Sequence, residues 1–196
     1  MCGLIAVVGE VPDEDLAAAV AAAGARGPHS WGWAYPSAVE HGPGRLPAPD
    51  ADKRRAVLAI GHSRLATSTS EPGTVPDPAE GQPVRGLSWT VAHNGTSDAA
   101  ALTDWSDGAP RDTRGILALL EADGLGRLAD PALFDGRPQA MLVARGDALL
   151  ALRVNGTKLP AHPLYVTRYA AGLLVASAPI GDAELVEAGA PVLLTR

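Results

Sequence analysis

The chain has 196 residues, 46% of them hydrophobic and 19% charged, with a formal net charge of -6 at pH 7. That length suits one domain, 1–196, whose core is large enough to fold without staples. Its acidity, scattered arginines and mere two lysines, Lys53 and Lys158, disfavour binding to nucleic acid. No apolar run approaches the roughly 18–20 residues of a membrane span, and no basic stretch precedes an apolar one at the N-terminus as a secretory signal requires. The single cysteine, Cys2, can form no internal disulfide, so a reducing, cytoplasmic setting is expected.

LIAVVGE, from Leu4, reads as a fully buried strand stopped by Gly9. Pro12-Asp13-Glu14-Asp15 opens a helix, with Leu16 and Val20 on one face and Gly24 expected to close it. SWGWAY is a short aromatic strand, and the proline-rich residues 36–53 read as an exposed loop. AVLAIGHSRLA returns to buried strand character before a second long polar loop, 67–83. LSWTVAHNG alternates, with Leu87, Trp89 and Val91 on one side. A short helix is expected near 97–105 and a stronger one over 112–122, ahead of Gly124. The last third, AMLVAR, DALLALRV, PLYVTRY, GLLVASA and PVLLTR, is mostly strands, and Arg145-Gly146-Asp147 reads as a hairpin tip. Strands outnumber helices without strict β-α-β alternation, which points to α+β with antiparallel sheets.

Cys2 is either a small buried hydrophobe or a nucleophile. A small residue after the initiator permits methionine removal, which would leave Cys2 with a free α-amine. An α-amine titrates near 7.7–8.0, so it can take the proton from the neighbouring thiol, as in N-terminal threonine nucleophiles. Three stretches carry further candidates: GHSRLATSTS with Arg64, VAHNGT with Asn94 and Gly95, and APRDTRGILALL with Asp112. Singly they have ordinary readings: a solvated charge, a turn and a helix N-cap. Together they suit amide cleavage on a free amino acid. Asn94 and Gly95 offer two oxyanion donors, Arg64 a planar fork for a carboxylate, and Asp112 a countercharge for an α-ammonium. The five histidines, His29, His41, His62, His93 and His162, lack metal-ligand spacing with Cys2 or with one another, so neither metal nor cofactor is expected.

The ordered set MCGLIAVVG, ARGPHSWG, GHSRLAT, GQPV, AHNGT and RDTRGILALL, over roughly residues 2–122, resembles the glutaminase domain of class II glutamine amidotransferases. These are N-terminal nucleophile hydrolases. The resemblance implies a four-layer αββα sandwich of two antiparallel sheets, with Cys2 at the end of a central strand facing Asn94-Gly95. It implies that Cys2 forms a glutamyl thioester and releases ammonia, Asn94 and Gly95 hold the oxyanion, Arg64 binds the substrate carboxylate, and Asp112 binds its α-amino group. Thr67 and the segment to Gln82 would close over L-glutamine, and Arg26 would support the site. His29 and Arg114 depart from the usual pattern.

No synthase domain or nucleotide-binding pattern is apparent in the sequence, so the expectation is a stand-alone glutaminase passing ammonia to a separate synthase. A γ-glutamyl amide hydrolase acting on a larger biosynthetic intermediate, as in the ergothioneine pathway, is the alternative. A non-catalytic domain that binds glutamine or a partner is the minor one.

Overall fold

The computed structural model describes residues 1–54, 58–65, 81–97 and 112–194. In chain order these form β1 (Gly3–Gly9), α1 (Asp13–Arg26), β2 (Ser30–Tyr35), β3 (Ala38–Pro43), α2 (Ala51–Arg54) and β4 (Leu58–Arg64). Then come β5 (Val84–Arg85), β6 (Thr90–Asn94), α3 (Asp112–Asp123), β7 (Gln139–Arg145) and β8 (Ala148–Val154). The chain continues with β9 (Tyr165–Tyr169), β10 (Gly172–Ala176), β11 (Glu184–Leu185) and β12 (Val192–Leu194).

The apolar run of β1 is explained by what covers each face. Successive side chains on a strand point opposite ways. Leu4, Ala6 and Val8 join one core cluster with Leu58 and Ile60 of β4, Ala92 of β6 and Leu142 of β7. Ile5 and Val7 join another, with Leu16, Ala19, Val20 and Ala23 of α1. The second sheet repeats the device. Ala140, Leu142 and Ala144 of β7 face the first sheet, whereas Met141 and Val143 pack with Ile116, Leu119 and Leu120 of α3. Each fully buried Leu, Ile or Val contributes roughly 1.5–3 kcal/mol.

Among the described residues the first sheet runs β11-β9-β10-β1-β4-β2-β3 and the second β12-β8-β7-β6-β5. The pairings are antiparallel in both sheets. The result is α1, sheet, sheet, α3: the expected α+β four-layer sandwich.

Three expectations change. Residues 36–53 are not all loop, because β3 pairs with β2 from Ser30↔Pro43 to Tyr35↔Ala38, and α2 follows. Gly24 does not close α1. It is buried within the helix, where an added Cβ would make ordinary contact with Arg45 Cβ at 3.7 Å, and α1 ends at Arg26 before Gly27. Gly27 lies so close to β4 that a Cβ there would sit 2.2 Å from the Ser63 carbonyl oxygen. Leu87 is 99% exposed, because the strand begins only at Thr90 and the Gly86 N–H bonds Trp89 O across a tight turn. The helix expected near 97–105 falls outside the described residues apart from Ser97, which lies in no helix. The hairpin tip at Arg145-Gly146-Asp147 is as read, with Arg145 paired to Ala148 and Gly146 at φ +61°.

Candidate active site

Register brings the candidate residues to one end of the sandwich. Gly3 pairs with Ser63, Ser30 with Arg64, and Asn94 with Ala140. Cys2 immediately precedes β1, the middle strand of its sheet. Arg64 is the last residue of β4 and Asn94 the last of β6. The two sheets meet there, since His62 of β4 is hydrogen-bonded to the His93 main chain of β6.

The Cys2 side chain is half-buried. The Leu65 N–H donates to its sulfur at 3.5 Å, and the thiol lies 4.0 Å from Leu65 O. Burial pushes the thiol pKa up. The Leu65 N–H, the positive chain terminus and Arg64 oppose that rise, and Asp112 adds to it. Cys2 therefore lies within the electrostatic reach of both charges expected to hold an amino acid. Its thiol is the neutral, protonated species near pH 7, which needs a base to become a nucleophile.

Arg26 holds the terminus rather than open space. Its Nε donates to Cys2 O at 3.1 Å, and its Nη2 is 3.9 Å from the Met1 sulfur. Burial lowers its pKa, with Cys2 and Tyr165 opposing. The chain after Arg26 is laid along β4: Ser63 Oγ donates to Gly27 O, and the His29 N–H bonds Arg64 O at 3.1 Å. His29 thus supports Arg64 through its main chain. Arg114 lies on the exposed face of α3.

Asn94 is 3% exposed, and its Nδ2 finds no hydrogen-bond acceptor among the described residues. Such an orphaned buried donor is costly and calls for a partner. At Gly95 a Cβ would fall 1.7 Å from Gln139 Oε1, so only glycine fits the turn. Asp112 stands at the start of α3. Its Oδ2 accepts from the Ser97 N–H at 3.1 Å and lies 3.8 Å from His93 Nδ1, and its Oδ1 accepts from the Thr113 N–H at 2.8 Å. Its carboxylate thus accepts main-chain hydrogen bonds on both sides of the helix start.

Thr67 lies outside the described residues. The far end of its loop is anchored: Gln82 Oε1 accepts the His93 N–H at 2.8 Å, and His41 Nε2 is 3.1 Å from Pro83 O. Sequence reasoning missed several neighbours. Leu65 acts through its main chain, which no side-chain pattern reveals. Ser177 pins β1 beside Cys2 by accepting the Leu4 N–H at 2.9 Å. His162 follows β8; burial lowers its pKa, and His93, Arg26 and the chain terminus push the same way. Gln139 is fully buried behind the turn. Among the described residues no group of three or more His, Cys, Asp or Glu side chains is placed to hold a metal.

No family model matches this sequence, and no curated protein matches it. Solved structures do. Glutamine phosphoribosylpyrophosphate amidotransferase from B. subtilis, solved with ADP and GMP, aligns with TM-score 0.58 and 19% identity over 90% of this chain. A structure described as the allosteric regulatory enzyme of purine biosynthesis aligns with TM-score 0.56, also at 19% identity over 90% of this chain. This chain spans 42% of the length of each of those two. A glutamine aminotransferase class-II domain protein from Silicibacter pomeroyi aligns with TM-score 0.57 and 17% identity, over 98% of this chain and 94% of that one. At such identities the likeness is one of fold. The resemblance carried by MCGLIAVVG, GHSRLAT and AHNGT therefore stands as architecture: this chain has the fold of class II glutamine amidotransferase domains.

Proposed function

We propose that the chain hydrolyses the side-chain amide of L-glutamine and delivers the ammonia to a separate synthase. Removal of Met1, which is 58% exposed, frees the Cys2 amine. That amine takes the thiol proton as the sulfur attacks the amide carbon. The oxygen, now negative, accepts hydrogen bonds from Asn94 Nδ2 and the Gly95 N–H. The amine returns its proton to the departing nitrogen, the C–N bond breaks, and ammonia leaves a glutamyl thioester. Water, deprotonated by the same amine, then cleaves the C–S bond to give glutamate and the free thiol. Arg64 pairs with the substrate α-carboxylate and Asp112 with its α-ammonium. Thr67, in the loop that ends at Gln82, would help close the site.

One observation above all supports this reading: the buried Asn94 Nδ2 has no acceptor among the described residues, at the strand end where Arg64 and Asp112 both act on Cys2. An oxyanion is the acceptor it lacks, and losing one such donor costs about 2.7–4 kcal/mol of transition-state stabilisation.

The test is an assay of the Met1-free protein with L-glutamine and, separately, a γ-glutamyl alkylamide. Release of ammonia from glutamine is expected. Preference for the alkylamide would instead assign the chain to γ-glutamyl conjugates, because Arg64 and Asp112 grip only the glutamyl part. Turnover of neither would contradict the proposal.

A further inference from the structure

We propose that Gln139 is the positioning residue of the oxyanion turn, fixing where Asn94 and Gly95 present their donors. The inference rests on the amide-hydrolase reading above. Gln139 opens β7 and is 0% exposed. Its amide is fully used: Nε2 donates to Thr96 O at 3.2 Å and Arg137 O at 3.1 Å, while Oε1 faces His93 Nε2 at 2.5 Å. Both amide hydrogens go to carbonyls, so the orientation of the amide is determined and His93 Nε2 must carry the hydrogen it shares with Oε1.

One side chain thus grips the residues on both sides of Asn94-Gly95: His93 before and Thr96 after. The turn also folds directly onto the amide. A Cβ on Gly95 would lie 1.7 Å from Gln139 Oε1 and 2.7 Å from His93 Nε2. The ladder adds a third tie, since Asn94 pairs with Ala140, the next residue along β7. The hydrogen bonds of the Gln139 amide go to His93, Thr96 and Arg137 and not to Cys2, so its influence on the reaction passes through the turn.

Donors that act only on the transition state should affect kcat and spare KM. Gln139→Met, similar in volume but without the amide, should lower kcat about ten- to hundredfold and leave KM within about threefold. Alkylation of Cys2 by iodoacetamide, which forms no oxyanion, should proceed at the wild-type rate. Hydrogen exchange should quicken at the amides of Gly95, Thr96 and Ser97 and stay unchanged in β10. Thr167→Val is the control: it removes a buried hydroxyl that donates to Ile180 O in the other sheet and should leave kcat unaltered. If Gln139→Met does not fold, Gln139→Asn, which keeps the amide on a shorter arm, should show the same pattern with a smaller loss.

Unchanged kcat, or kcat and alkylation rate falling together, would overturn the proposal. Should the wild-type protein turn over no glutamyl amide, the functional reading fails. Exchange in the turn then decides the strut alone, and unchanged exchange overturns it.

Discussion

The two ends of the sandwich are built from the same strands and carry opposite chemistry. β4 joins them: its seven residues rise roughly 3.3 Å each, so Leu58 and Arg64 stand about 20 Å apart. At the Leu58 end the sheets part into an apolar cavity of about 440 Å³, lined by Tyr35, Leu58, Ile60, Arg85, Trp89 and Ala144 among others. The arginine there is matched. Arg85 donates through Nε to Thr90 Oγ1 at 3.2 Å, through Nη1 to Pro36 O at 3.2 Å, and through Nη2 to Tyr35 O. At the Arg64 end the orphans gather: His62 Nε2, His93 Nδ1 and Asn94 Nδ2 are buried without hydrogen-bond partners among the described residues. That cavity therefore lies away from the candidate residues Arg64 and Asn94. The buried groups without hydrogen-bond partners gather instead beside those candidates, and a fold keeps such groups buried only where something else repays the cost.

Variants at the two ends should separate on this basis. The largest effect is expected for Cys2→Ala, which removes the nucleophile and should abolish turnover in the ammonia-release assay while the thermal midpoint holds. Asn94→Ala should lower kcat about 10²–10³-fold, read by steady-state kinetics. Trp89→Ala, at the other end, is expected to do the reverse. Trp89 is 7% exposed and carries Arg145 at 5.2 Å over its ring; its loss should cost about 3–5 kcal/mol in denaturant unfolding and leave kcat per folded molecule unchanged. A kcat loss for Trp89→Ala as large as that for Asn94→Ala would erase the distinction between the ends.

A smaller effect comes from acid. Burial holds the His62 pKa down at about 3, with His93 and Arg64 adding to the shift, against an ordinary value of 6.5. Between those values the unfolded chain binds a proton that the folded chain refuses. The stabilisation is complete above the unfolded value and drains as pH falls toward the folded one, by up to about 1.4 kcal/mol per pH unit. Unfolding free energies measured from pH 7 to pH 4 should show this slope, and His62→Gln should flatten it. An equal slope in the variant would assign the acid sensitivity elsewhere.

What could be read from sequence follows the same division. Strands buried on both faces, such as LIAVVG and MLVA, announce themselves as unbroken apolar runs, and the candidate residues Arg64 and Asn94 are legible because they stand where those runs end. β3 is not legible: AVEHGP is an edge strand with mostly half-buried side chains, held by its hairpin with β2 and lacking any alternation. Leu87 misleads because its apolar side chain extends the alternation of β6 into a turn that pairing has already left. Gly24 misleads because a helix interior packed against Arg45 and Leu46 accepts a glycine without ending. Gln139 hides as a polar residue at a strand start, and only the fold reveals that the turn after β6 closes upon it.

The central claim is that Cys2, freed of Met1, is a terminal nucleophile aimed at a glutamyl amide. Intact-mass spectrometry of the purified protein after treatment with the glutamine analogue diazo-oxo-norleucine tests it most directly. The expected result is a mass lacking Met1 and a single adduct that maps to Cys2 and is blocked by excess L-glutamine. A chain that keeps Met1, or a trimmed chain whose Cys2 stays unmodified, would contradict it.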